Sequence, residues 1–222
     1  MTSELEPLAR AARRADAGLV RATERDLRLL RWVAEQYAVS IPQLARLMGR
    51  SEHAARWLRA RWQRAGWAQG RTLLVGRPVF VWLTREGSRV AGTGFRVWEP
   101  NAGALAHVEA VNDVRLLVAQ RRPEAVWVCE RELTARPLPS APSERAHRPD
   151  AVVRVDSARR VAVEVELTLK SRARLERIVG QLLGEFDAVW YFAAPAPARA
   201  LEAIAERVGG RLHVAPLPEG EQ

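Results

Sequence analysis

Cysteine and long apolar runs are nearly absent from this chain of 222 residues. The single cysteine, Cys129, excludes a framework of disulfides and favours a reducing compartment. Arginine interrupts every apolar stretch before it reaches the roughly 18 to 20 residues that cross a bilayer. No charged segment followed by an apolar one, as in an export signal, stands near residue 1. We therefore expect a globular, cytoplasmic protein without a membrane segment.

Lysine is also nearly absent, since only one of the 35 basic residues is not arginine, and acidic residues are scarce in the first half. Residues 1–100 contain 18 arginines and 9 acids, whereas residues 101–222 contain 17 basic and 17 acidic residues. The whole net charge of +9 therefore belongs to the first half. Because arginine neutralises phosphates and releases their counterions, this asymmetry predicts a polyanion partner. A solvated basic face without a partner is the alternative.

Three successive helix starts follow residues 1–22, which we interpret as a tail. Thr23, Ser40 and Ser51 are good N-cap residues, and each precedes a segment with apolar residues at helical spacing. A very short turn at Gly49 separates the second and third helices, as in a helix-turn-helix. Two strands and a short closing helix are predicted next, at 67–69, 79–83 and 85–91. Residues 23–92 are thus predicted to form a winged helix-turn-helix, the kind of domain that binds double-stranded DNA.

The third helix carries a polar edge that could read bases in the major groove. Its side chains are Glu52, Arg56, Arg59 and Gln63, flanked by His53 and Arg64. Arginine can fork onto guanine and glutamine onto adenine, so this edge has the chemistry of direct readout. Arg71 and Arg77 lie in the segment between the two strands and are expected to contact phosphates. The alternative is an ordinary solvated helix face.

The second half alternates helices and strands, so the fold class is α/β (α+β overall). We expect a linker at 93–104, a second domain at 105–217 and a tail at 218–222. The predicted order is αβββαβ, followed by a helix and a short strand. The elements are a helix from Leu105, a strand at 125–129, a hairpin at 150–155 and 160–168, a helix after Ser171, a strand at 188–193 and a last helix ending at Gly209. Residues 136–149 contain four prolines and are predicted to form a loop.

Paired acids in the hairpin resemble those of a nuclease superfamily. Pro149-Asp150 begins one strand and Glu164-Val165-Glu166 lies on the next, a pattern similar to the restriction-endonuclease-like PD-(D/E)XK fold. The whole chain resembles the replication-relaxation family of plasmids and other mobile elements. That resemblance rests on "TERDLRLL", "AHVEAVNDVRLL" and "RPDAVV…VEVELTLKS", and it implies a location on the nucleoid or a plasmid.

The resemblance implies that Asp150 and Glu164 hold Mg²⁺, while Glu166 stands where the superfamily has a catalytic lysine. Oxygen ligands suit a hard cation, so Glu166 could complete a carboxylate site. The only lysine of the chain, Lys170, follows four residues later and is a candidate catalytic or phosphate-binding amine. A straight strand would place it about 13 Å from Glu166, whereas a turn could bring it back.

Simpler interpretations stand beside these. Glu164 and Glu166 could lie on an exposed sheet face bonded to Arg174 or Arg177, and Lys170 could be a surface residue. Glu109 is more readily a solvated helix acid than a further ligand. His107 is more readily a hydrogen-bonded packing residue than a metal ligand, since no histidine or cysteine stands at a ligand spacing.

Three functions remain open. The leading hypothesis is a sequence-recognising DNA-binding protein with a nuclease-like second domain, without a small-molecule cofactor. The rival is a Mg²⁺-dependent endonuclease or nickase that the winged helix directs to its site. The third is a transcriptional repressor whose second domain forms a homodimer or senses a signal, and it would occupy paired half-sites about one helical turn apart. Fold analogy alone does not choose among them.

Overall fold

The structure is a computed structural model that describes residues 21–135, 147–155 and 159–218. These ranges contain eight helices and two sheets, a mixed α/β architecture. The elements are α1 Glu24–Glu35, β1 Ala38–Ser40, α2 Ile41–Met48, α3 Glu52–Arg64, β2 Ala68–Thr72, β3 Val79–Leu83, α4 Arg85–Ala91, α5 Ala102–Arg121, β4 Val126–Cys129, α6 Glu130–Ala135, β5 Ala151–Arg154, β6 Arg160–Glu166, α7 Arg172–Glu185, β7 Ala188–Ala193, α8 Pro195–Val208 and β8 Leu212–Pro216. None of the described helices is long and apolar enough to cross a membrane.

Capping side chains start the first three helices as the sequence predicts. Thr23 and Ser40 both form capping boxes, with Asp26 and Gln43 as their partners, and the hydroxyl of Ser51 accepts from the N–H of Ala54. The turn between α2 and α3 is tight because Gly49 adopts a left-handed conformation with φ of 60°.

The first sheet is antiparallel, with strand order β1-β3-β2. Strand β1 is too short to be seen in the sequence and is an addition to the predicted elements. Strand β2 runs to Thr72, so the predicted end at Gln69 is wrong. Gly70 pairs with Val81 of β3, and its lack of a side chain leaves room for Arg59, since a Cβ would lie 2.8 Å from the Arg59 Cδ.

The second sheet has strand order β4-β5-β6-β7-β8. Strands β4, β5 and β6 are antiparallel, whereas β6, β7 and β8 are parallel. Helix α5 packs on the face formed by Val161, Val163 and Val165, and helices α7 and α8 pack on the other face. The predicted hairpin and the strand at 188–193 are confirmed. The short helix α6 after β4 was not predicted.

Helix α5 packs on the second sheet and also contacts β1 and α2 of the first part of the chain. Its Asn112 is fully buried and donates to the carbonyl of Ala38 at 2.8 Å, while Gln43 Nε2 donates to the carbonyl of Glu109 at 2.8 Å. The helix begins at Ala102, so the predicted linker is shorter than 93–104. Three predicted segments fall largely outside the described residues: the tail at 1–22, the loop at 136–149 and the tail at 218–222.

Candidate functional site

The exposed face of α3 is the first candidate surface. Ala55, Leu58 and Trp62 point into the core and fix the rotation of the helix. The side chains left exposed, which we call the α3 face, are His53, Arg56, Trp57, Gln63 and Arg64. Trp57 is 58 % exposed, an unusual state for so large an apolar ring. Trp57 was not among the predicted reading residues, although it lies one turn from His53 and two turns from Arg64.

Two of the predicted reading residues have other contacts. The stem of Arg59 lies over Gly70, and its Nε is buried without a hydrogen-bond partner among the described residues. Glu52 accepts from Arg56 at 2.5 Å, an ion pair between two exposed side chains one turn apart. The edge that the sequence predicts is therefore turned partly towards β2, and the α3 face is centred nearer Trp57.

Arg71 and Arg77, which are expected from the sequence to contact phosphates, both have partners within the protein. The Arg71 guanidinium lies 5.7 Å from the centre of the Trp82 ring, and Arg77 forms an ion pair with Glu109 on α5. Because Glu109 is partly buried and pairs with Arg77, it is neither a solvated helix acid nor a further ligand beside the acids of the second sheet. Burial raises the pKa of Glu109. The fully exposed Val75 stands at the tip of the segment between β2 and β3.

A buried carboxylate anchors α3 from behind. Asp26 on α1 is fully buried and accepts from Arg61 Nη1 and from Trp62 Nε1, both at 2.9 Å. Burial alone would raise the pKa of Asp26, but the hydrogen bonds from Arg61, Thr23 and Trp62 together hold it well below its usual range. The α3 face is thus presented on a helix that an ion pair and the core hold in place.

The second candidate surface is an acid cluster at one end of the second sheet: Asp150, Glu164, Glu166 and Lys170. Asp150 comes directly before β5, which pairs antiparallel with β6 so that Ala151 faces Val163. The Asp150 Oδ2 atom accepts from the N–H of Val165 at 2.7 Å. This bond fixes Asp150 at the edge where β6 ends.

Glu164 is the most perturbed member of the acid cluster. It is 4 % exposed, and its Oε1 atom lies 3.0 Å from His147 Nε2. Burial raises the pKa of Glu164 to about 7, although the contact with His147 opposes the shift. The same contact raises the pKa of His147. Glu164 can therefore take up or release a proton near neutral pH.

Glu166 is paired with the only lysine of the chain. It is 3 % exposed, and Lys170 Nζ donates to its Oε2 atom. The chain turns after β6 and brings Lys170 back, the arrangement that the sequence left open. The alternative of an exposed sheet face bonded to Arg174 or Arg177 is wrong, because helices cover both faces of β6.

Two further residues join the acid cluster. His107 Nε2 lies 2.9 Å from Asp150 Oδ1, so His107 is hydrogen-bonded, as predicted, and this contact raises its pKa. Tyr191 lies beside Glu164 in the parallel pairing of β6 and β7, and its buried hydroxyl has no partner among the described residues. Burial raises the pKa of Tyr191, so its hydroxyl stays protonated beside the acids.

The donor set of the acid cluster suits a hard cation by residue type. Mg²⁺ commonly takes one or two protein carboxylates and completes its shell with water and phosphate oxygens. Asp150 and Glu164 fit this donor set. In the described ranges no group of three or more histidine, cysteine or acidic side chains is arranged to hold a metal ion. A third carboxylate ligand from Glu166 would have to leave Lys170.

Comparisons with protein-family models, with curated proteins and with solved structures find no match for this chain.

Proposed function

We propose that this protein binds double-stranded DNA and recognises sequence through a winged helix-turn-helix in which α3 enters the major groove. The observation that carries the proposal is the α3 face, a basic and aromatic surface on a helix whose opposite side is locked into the core. The element order α1-β1-α2-α3-β2-β3, with the three strands paired antiparallel as β1-β3-β2, supports a winged helix, and the tight turn at Gly49 supports a helix-turn-helix.

The charge distribution supports a phosphate-bearing partner for the same part of the chain. All of the net charge of +9 belongs to residues 1–100. Some of these arginines are engaged internally, among them Arg61 with Asp26 and Arg77 with Glu109. Arg64 on the α3 face has no such acidic partner in the described ranges. Counterion release would favour contact between arginines of this kind and a duplex.

The chemistry of the α3 face defines what it could read. Arg56 and Arg64 can donate two hydrogen bonds to guanine, and Gln63 can bond adenine in the same way. Trp57 offers an apolar ring that suits the methyl group of thymine. DNA that contacts Arg56 would have to displace Glu52 from this exposed ion pair.

The experiment is selection of bound duplexes from a random pool, followed by affinity measurements on the enriched site. Arg56→Ala and Arg64→Ala should each weaken the enriched site by about 1–3 kcal/mol and relax the preference at one base pair, because both guanidinium groups lie on the α3 face. Arg199→Ala, on the exposed side of α8, is the matched control. An equal loss on every sequence would assign the two arginines to phosphate contact, and a pool without enrichment would overturn sequence recognition.

Cleavage of DNA is a second candidate function, favoured by the convergence of the acid cluster at one sheet edge. Asp150 and Glu164 would hold Mg²⁺, which supplies Lewis acidity and a more acidic bound water. Lys170 donates a hydrogen bond to Glu166, two residues along β6 from Glu164, and would supply an amine at the site. Within this proposal the chain is a targeted nickase similar in layout to the replication-relaxation proteins it resembles.

Supercoiled plasmid tests this second candidate. The chain is incubated with plasmid with and without Mg²⁺ or Mn²⁺, beside Glu164→Ala and Lys170→Ala, and the topological forms are separated on a gel. Nicking that needs metal and disappears in both variants would support cleavage. Plasmid that is retarded but intact in every lane would contradict it and leave DNA binding untouched.

A further inference from the structure

An open groove lies on the side of the second sheet that faces α5, beyond the part that α5 covers. Its volume is about 650 Å³. Trp190 and Phe192 of β7 and Ala215 of β8 form the floor, and Arg121 and Arg122 at the end of α5 form the rim. None of the described residues that line it is acidic. A groove of this kind is positively charged and has an aromatic floor.

The groove continues into a second hollow of about 750 Å³ along α5. The two share Leu117, Arg121, Phe192 and Ala215, so they form one channel along the sheet. The far end reaches Arg46 of α2, which is paired with Asp113. That ion pair leaves the far end without net charge, so the positive charge of the channel lies at the end with Arg121 and Arg122.

The rim and the floor of the groove have chemistry that complements a nucleotide. Trp190 is half-buried, and the Arg122 guanidinium lies 5.8 Å from the centre of its ring. Arg121 is exposed and makes no ion pair among the described residues. Aromatic rings that stack bases, combined with arginines that follow a phosphate backbone, are the means by which proteins bind single strands.

We propose that this groove binds single-stranded DNA, with a base stacked on Trp190 and the backbone phosphates on Arg121 and Arg122. Single-stranded DNA fits better than a free nucleotide, because the channel extends over two connected hollows and opens towards α2. The site is separate from the acid cluster: Trp190 and Phe192 lie on one face of β7, whereas Tyr191 lies on the opposite face beside Glu164. The inference does not depend on duplex binding by α3.

The test is binding of fluorescein-labelled (dT)20 to the full chain, followed by anisotropy over a range of salt concentrations. The double variant Arg121→Gln/Arg122→Gln should bind about tenfold more weakly at low salt. The slope of log affinity against log salt should become shallower by about 1.4, at roughly 0.7 for each phosphate of a single strand that is no longer neutralised. Arg199→Gln removes an exposed charge elsewhere and should bind as the parent does. Free thymidine monophosphate should not compete at equal nucleotide concentration.

Stacking is tested separately at Trp190. Trp190→Phe keeps a ring and should retain affinity within about threefold, whereas Trp190→Leu should weaken binding about tenfold, within the range for one stacked base. Thermal unfolding of both variants checks that the sheet is intact. Arg56→Ala/Arg64→Ala on the α3 face should leave (dT)20 binding unchanged, which separates this site from the proposed duplex surface.

Several results would overturn the proposal. The first is that the chain does not bind (dT)20, and the second is that the Arg121/Arg122 and Arg199 variants are weakened equally. The third is that free thymidine monophosphate displaces (dT)20 at equal nucleotide concentration. The fourth is that only the Arg56/Arg64 variant loses (dT)20 binding. Duplex binding, measured on the same samples, shows whether the proposed function fails independently.

Discussion

Replacement of Glu164 by glutamine should flatten the pH dependence of stability. Burial raises the pKa of this carboxyl group from 4.5 to about 7 in the folded protein. The unfolded chain therefore releases the proton at lower pH than the folded chain does, and rising pH favours the unfolded state across that window. The free energy of unfolding should fall from about pH 4.5 to pH 7 and level off above it.

The size of this decrease follows from the two pKa values. A change from 4.5 to about 7, integrated from pH 5 to pH 8, gives about 2–3 kcal/mol. His147 adds a decrease of the same sign, because its contact with Glu164 raises its pKa and that stabilisation disappears as the imidazole releases its proton. Glutamine at position 164 has no proton to release, and it removes the charge that His147 contacts.

Urea unfolding in metal-free buffer at pH 5, 6, 7 and 8 measures the effect, with tryptophan fluorescence as the signal. The difference in unfolding free energy between the parent and Glu164→Gln should change by about 2–3 kcal/mol over this range. Glu202→Gln, at an exposed position on α8, is the matched control. Parallel curves for the parent and Glu164→Gln would refute the assignment of a buried, proton-binding Glu164.

Further predictions concern the first part of the chain and α7. Arg61→Ala should lower the free energy of unfolding by about 3–5 kcal/mol, because it leaves Asp26 buried without its ion pair; a decrease below about 1 kcal/mol in urea would contradict this. Gly87→Ala should cost about 1–3 kcal/mol, because its Cβ would lie 1.8 Å from the carbonyl oxygen of Trp67. Gly180→Ala on α7 meets no atom within 4 Å and should instead raise the thermal midpoint through better helix propensity; equal effects of the two glycine variants would refute the packing argument.

Local signals predict much of the fold. The capping boxes at Thr23 and Ser40 place the starts of α1 and α2 because the partners stand three residues away. The alternation of valine along β6 predicts a strand and the residues that share each of its faces. Strand β1 cannot be predicted in this way, since three residues carry no period and the strand exists through its pairing with β3.

The candidate sites depend on contacts between residues that are distant in the sequence. His107 and Asp150 are 43 residues apart and His147 and Glu164 are 17 apart, and neither distance matches a known ligand spacing. Only the fold brings each histidine to an acid. The spacing of Trp57 places it on one face of a helix. Its exposure follows from the rotation of α3, which buries Ala55, Leu58 and Trp62 instead.

A cleaving label on α3 gives the most direct test of duplex recognition. Cys129 is buried, so a thiol introduced at Ala60, which lies between Trp57 and Arg64 on α3, can be labelled selectively with an iron chelate. The same label at Glu202→Cys on α8 is the comparison. We expect strand cleavage inside the bound site from the label at position 60 and none from position 202. Cleavage from position 202 alone, with α3 silent on a bound duplex, would contradict it.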